Sequence, residues 1–170
     1  MDYKDIIRSQ YLAGLEMLKS AIVKCPPALW NDPGAKTKFW HIAYHTLFYT
    51  HLYLQNSEQT FKPWAKHRPD YQFMGPLPWP PHDKPKIEEP YSQEDVLAYL
   101  EFCQNEIEEK VVLLNPDDES GFSWLPFTKM ELQIYNIRHL QQHTGELMER
   151  LGSQANIEVD WVGMKQGKLP

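Results

Sequence analysis

Apolar positions recur at helical spacing near the start of the chain, where Ile6, Ile7, Tyr11, Leu12, Leu15, Leu18 and Ile22 line one side and Pro26-Pro27 closes the run. The pattern predicts a helix from about Tyr3 to Lys24. A second helix is predicted from about Lys36 to Asn56. There Phe39, Ile42, Leu47, Phe48, Leu52 and Leu54 share the segment with Trp40, Tyr44, Tyr49 and Tyr53 on nearly every side, as in a helix buried on several faces.

Two later helices mark their own starts. Ser92-Gln93-Glu94-Asp95 fits a capping box, in which the serine hydroxyl and the acid three residues on satisfy each other's exposed amides. Tyr91 and Val96 are its staple pair, and a third helix follows to about Leu114. Thr128-Lys129-Met130-Glu131 repeats the device with Phe127 and Leu132, and Gly152 is placed to end this fourth helix in a left-handed cap. After Gly152 no periodicity is evident, and Trp161 is expected to dock the tail onto the bundle.

Between the second and third helices, residues 57 to 91 hold eight prolines, including Pro76-Leu-Pro-Trp-Pro-Pro81, and are not helical. A connection of that length is a functional lid or a crossover that returns the chain along a bundle. We read a crossover. Its Trp64, Tyr71, Phe73 and Trp79 predict that it packs over the bundle and shapes access to the candidate site described below. The expected fold is an all-α four-helix bundle with a long proline-rich crossover between helices two and three, built as a single domain over residues 1–170.

Composition narrows the function classes. Hydrophobic residues make up 42% and charged residues 24% of the 170, the balance of an ordinary globular chain rather than a disordered one. A net charge of -6 with scattered Lys and Arg leaves no basic face for nucleic acid. No uncharged stretch approaches the roughly 20 residues that span a bilayer, and Met1-Asp2-Tyr3-Lys4-Asp5 lacks a signal-peptide core. A cytoplasmic protein with no membrane partner is expected. Cys25 and Cys103 have neither disulfide-framework nor thiolate-zinc spacing and are read as small buried hydrophobes.

The chemistry lies with histidine. His139-Leu-Gln-Gln-His143 sets two imidazoles one turn apart on a well-capped helix, the geometry by which a helix offers two nitrogens to one metal ion. The plain alternative is a pair of hydrogen-bonded surface or core histidines. Context weighs against it, because the same stripe carries Tyr135, Asn136, Glu146 and Arg150 between Leu132 and Leu147. Glu131, Arg138, Gln142 and Glu149 already supply a separate polar face. Glu146 is left outside the candidate site, since an exposed helix carboxylate accounts for it equally well. In the aromatic second helix His41 and His45 offer a third nitrogen, and imidazole buried among Trp, Tyr and Phe needs a metal or a specific hydrogen bond. His51, His67 and His82 show no partner spacing and are read as ordinary surface or loop residues.

Phe39-Trp-His-Ile-Ala-Tyr-His-Thr-Leu-Phe-Tyr49 and Tyr135-Asn-Ile-Arg-His-Leu-Gln-Gln-His-Thr-Gly-Glu-Leu147 resemble the two metal-binding stretches of the DinB/YfiT-like superfamily. Phe122-Ser-Trp-Leu-Pro-Phe127 resembles one branch of it. Many relatives have a His-His doublet where this chain has Gln142-His143. The resemblance implies a DinB-like bundle and a homodimer. It also implies that His45, His139 and His143 hold a divalent ion, nickel or zinc, and that the substrate is a small molecule such as a low-molecular-weight thiol. Depth along the bundle also favours His45: at about 1.5 Å per residue, His41 and His45 differ by about 6 Å, and His45 matches the level of the His139/His143 pair better. His41 is then expected at the rim or behind a ligand.

Three neutral imidazoles leave an open position on the ion for water, and together with the thiol chemistry that the resemblance implies the expected function is a metal-dependent hydrolase or thiol S-transferase. The competing reading is a non-catalytic helical module that a metal stabilises.

Overall fold

The computed structural model describes residues 2–165. Among them the chain is all-helical: α1 (Tyr3–Lys24), a one-turn α2 (Pro27–Trp30), α3 (Phe39–Tyr53), α4 (Gln93–Val111) and α5 (Lys129–Ala155), with a short 3-10 turn at Glu58–Thr60. The four long helices are the four that the periodicity predicts. α2 was not predicted; Pro27 sits at its first position, where a missing N–H and a fixed φ do no harm.

Each helix contacts its neighbours through its apolar side. α1 and α3 each pack against both α4 and α5, and touch one another little. One contiguous core joins Leu15, Leu18 and Ile22 of α1 with Ile42 and Leu47 of α3, Leu100 and Ile107 of α4, and Leu132, Leu140 and Leu147 of α5. α3 is the central helix, and of its residues only His45 and Tyr49 are not buried. No helix among the described residues is long and apolar enough to cross a membrane.

Capping explains the helix starts and corrects two details. Ser92 Oγ accepts the Asp95 amide at 3.0 Å, but the Asp95 carboxylate turns to the Ser92 hydroxyl and to Lys66 Nζ at 2.6 Å rather than to the Ser92 amide. A lysine is the stronger partner for an ionised acid. Thr128 supplies its half of the box at α5, accepting the Glu131 amide at 3.3 Å. α5 does not stop at Gly152, however. It runs to Ala155 and ends at Asn156, whose φ of 54° is the left-handed cap; asparagine tolerates that region nearly as glycine does. Trp161 does not dock the tail either. It is 73% exposed, and the tail is held instead by Ile157 and Val159 against the core and by the Gly163 carbonyl on Gln10.

The loop before α5 is latched by a lysine. Lys129 is buried, and its ammonium donates to the carbonyls of Gln55, Asn56 and Ser120, tying this loop to the end of α3. Gly121 beside it has φ +83°, and a Cβ there would stand 1.9 Å from the Asn56 carbonyl oxygen. Only glycine fits.

The crossover splits into two parts. Trp64 and Tyr71 are buried, with Trp64 stacked on Tyr99 of α4 at 4.6 Å and Arg68 over the Tyr91 ring. Beyond Gly75 the segment turns outward and Trp79 is 51% exposed.

Candidate metal centre

α3 and α5 lie side by side. His45, His139 and His143 converge there, with one nitrogen of each within 4.8 Å of the others. His45 Nε2 and His139 Nε2 are 3.1 Å apart, and the three ring pairs have centroids 4.7, 4.9 and 5.1 Å apart. Nitrogens bound to one ion at about 2.1 Å stand about 3.0 Å apart at a right angle and about 3.4 Å apart in a tetrahedron. The 3.1 Å pair already has that spacing.

Proton accounting shows why an electrophile fits. His45 Nδ1 lies 2.6 Å from the carbonyl oxygen of Gln72, which can only accept, so Nδ1 carries the proton and Nε2 presents its lone pair. His143 Nδ1 is likewise 3.2 Å from a carboxylate oxygen of Glu146, leaving its Nε2 free. His139 Nδ1 is buried without a partner. If His139 carries its proton on Nε2, Nδ1 is an orphaned acceptor; if on Nδ1, two lone pairs face each other at 3.1 Å. Neither tautomer satisfies every nitrogen; a cation between the facing lone pairs relieves their contact and leaves only the His139 Nδ1–H unpaired.

Electrostatics keeps the rings in the ligating form. Burial is the main cause that pushes His45 down to about 3 and His139 down to about 4, and the neighbouring imidazoles add to it. Both are neutral near pH 7.

The outer contacts come from separate parts of the chain. Gln72 belongs to the crossover, which therefore orients His45 as well as covering the bundle. Arg150 donates to Glu146 at 2.9 Å and to the Thr37 carbonyl at 2.6 Å, so a chain Thr37–Arg150–Glu146–His143 braces the second imidazole from the segment ahead of α3. Glu146, set aside in the sequence, thus touches a candidate ligand; its spacing of three from His143 and four from Arg150 was the available signal. Nothing in the sequence could single out the Gln72 carbonyl.

His41 and His51 differ from expectation. His41 is not at a rim: it is buried, with Nε2 2.8 Å from the Tyr71 carbonyl oxygen. His51 is no surface residue. It is 2% exposed, 3.1 Å from the Tyr99 hydroxyl and between the rings of Phe61 and Phe102, because its face of α3 meets α4. His67 pairs with the Tyr44 hydroxyl at 2.6 Å, and only His82 is an exposed loop histidine. Tyr49, one turn beyond His45, was also missed; its ring packs on His45 at 4.8 Å and on His139 at 5.5 Å.

Neither protein-family models, nor curated proteins, nor solved structures give a match to this chain.

Proposed function

We propose that this chain is a DinB-like metalloenzyme in which His45, His139 and His143 hold a divalent ion such as nickel or zinc. A divalent ion on three neutral imidazoles supplies Lewis-acid activation of a water for hydrolysis or of a low-molecular-weight thiol for transfer. The observation that carries this reading is the convergence of three imidazole nitrogens whose outer contacts already select the ligating tautomer for two of them. The likeness of the two histidine segments to those of the DinB/YfiT-like superfamily supports the same assignment.

Two features favour a reactive centre over a stabilising one. Structural sites of this kind close with four protein ligands, and here three converge. The site also lies where α3 alone reaches solvent, at His45 and Tyr49. The chain's own part is positional: the Gln72 carbonyl fixes the His45 ring, and Glu146, braced by Arg150, fixes His143.

The test is a cobalt-substituted, untagged sample titrated with azide and with a low-molecular-weight thiol. Shifts in the visible spectrum with either ligand are expected. A spectrum that neither ligand alters means a closed ion and a stabilising role.

A further inference from the structure

An aromatic row runs from the candidate metal centre between α3 and α5. Tyr49 packs on both His45 and His139; Tyr53, one turn further along α3, packs on Tyr49 at 5.7 Å. Tyr135, one turn before His139 on α5, packs on Tyr53 at 5.7 Å. Phe122 meets Tyr53 at 5.3 Å, and Trp124 meets Phe122 at 5.5 Å. Tyr53 and Phe122 are buried and form a floor, whereas Tyr49 and Tyr135 are half-buried and Trp124 is 48% exposed.

The open edge of α3 is a single helical stripe. α3 is closed all round except at His45 and Tyr49, so its one open edge joins a candidate ligand to the first ring of the row. On α5 the half-buried positions Tyr135 and His139 repeat the pairing of phenol and imidazole one turn apart. The ionic groups of the centre lie on the other side: Glu146 and Arg150 follow His143, and they are paired with each other.

We propose that Tyr49 and Tyr135 are specificity-determining residues that hold an uncharged aromatic ring of the substrate beside the metal, over the floor of Tyr53 and Phe122. This rests on the metal reading given above. The cation beside the row, Lys129 at 5.5 Å from the Phe122 ring, already donates to three backbone carbonyls, which leaves the ring faces of Tyr49 and Tyr135 as the surface next to the centre. Phenol and indole faces accept a flat ring in offset or edge-on contact. The reacting group of such a substrate meets the ion while its ring lies toward Trp124.

The test compares two probes with the same metal-binding head, acetohydroxamate and benzohydroxamate, titrated by visible absorption into cobalt-loaded, untagged protein. Benzohydroxamate should bind about tenfold more tightly, the size of one or two added aromatic contacts. Tyr49→Leu and Tyr135→Leu keep apolar bulk but remove the rings. Each should lower that ratio to about threefold or less, and because the two probes share one head, the ratio within a variant is independent of any change in how its cobalt is held. Equal affinities in the wild-type protein overturn the proposal even if a variant fails to fold, and so does a ratio that survives in both variants. Absence of cobalt uptake sinks the metal reading and this proposal together; uptake without ring preference sinks this proposal alone.

Discussion

Glu146→Ala separates a braced metal site from a chance cluster of histidines. The substitution removes the acceptor 3.2 Å from His143 Nδ1 and the partner 2.9 Å from Arg150. A hydrogen bond to a charged group is worth about 1.5–3 kcal/mol. The carboxylate is 40% exposed, so solvent takes the effect to the lower end, about 1.5 kcal/mol at most. That corresponds to a roughly tenfold weaker Kd for zinc, the low end for contacts behind a ligating histidine. Glu146→Gln keeps an acceptor oxygen and should stay within about threefold of the wild-type protein. The assay is competition of untagged protein against a chromophoric zinc chelator, with circular dichroism to confirm that α5 remains helical. An unchanged Kd in Glu146→Ala refutes the idea that this carboxylate positions His143.

Three further outcomes follow from contacts away from the centre. Burial pushes His51 down to about 4, so the unfolded chain takes up its proton first. The metal-free protein therefore keeps this contribution above about pH 6.5 and loses it as pH falls toward 4, up to about 3 kcal/mol. His45 and His139 add the same trend in both proteins, so in urea unfolding His51→Phe should give a shallower loss of stability below about pH 6.5 than the wild-type protein; parallel pH profiles contradict the assignment. Lys129→Met strands three carbonyls that its ammonium now satisfies and should cost roughly 2–4 kcal/mol in the same assay, whereas a loss below about 1 kcal/mol would show that water replaces the latch. A protease of broad specificity should nick the native chain first between residues 75 and 86, where the crossover turns outward, and cleavage near Trp64 or Tyr71 instead contradicts its docking.

The parts of the fold legible in the sequence were those governed by local rules. The period of Ile7, Leu15, Leu18 and Ile22, the caps at Ser92 and Thr128 and the prolines of the crossover each act over one or two turns. So does the pairing of His139 with His143. The spacing did not show which side of α3 meets which neighbour, because that helix is apolar nearly all round. For the same reason His51 looked like a surface residue and His41 like a rim residue, although each has a buried oxygen partner from a distant segment. Gln72 acts through its backbone, which carries no residue-type signal at all. At the end of α5, Gly152 attracted the cap assignment through propensity, but Asn156 takes the left-handed position three residues past Ser153.

The central claim is that His45, His139 and His143 bind one divalent ion, and metal content tests it most directly. Elemental analysis is made on untagged protein soaked with nickel or zinc and then desalted, for the wild-type chain and for His41→Ala, His45→Ala and His143→Ala. About one ion per chain is predicted for the wild type and for His41→Ala, and close to none for His45→Ala or His143→Ala, all four remaining helical. A wild-type content near zero after soaking contradicts the account, as does an ion kept by His45→Ala and lost by His41→Ala.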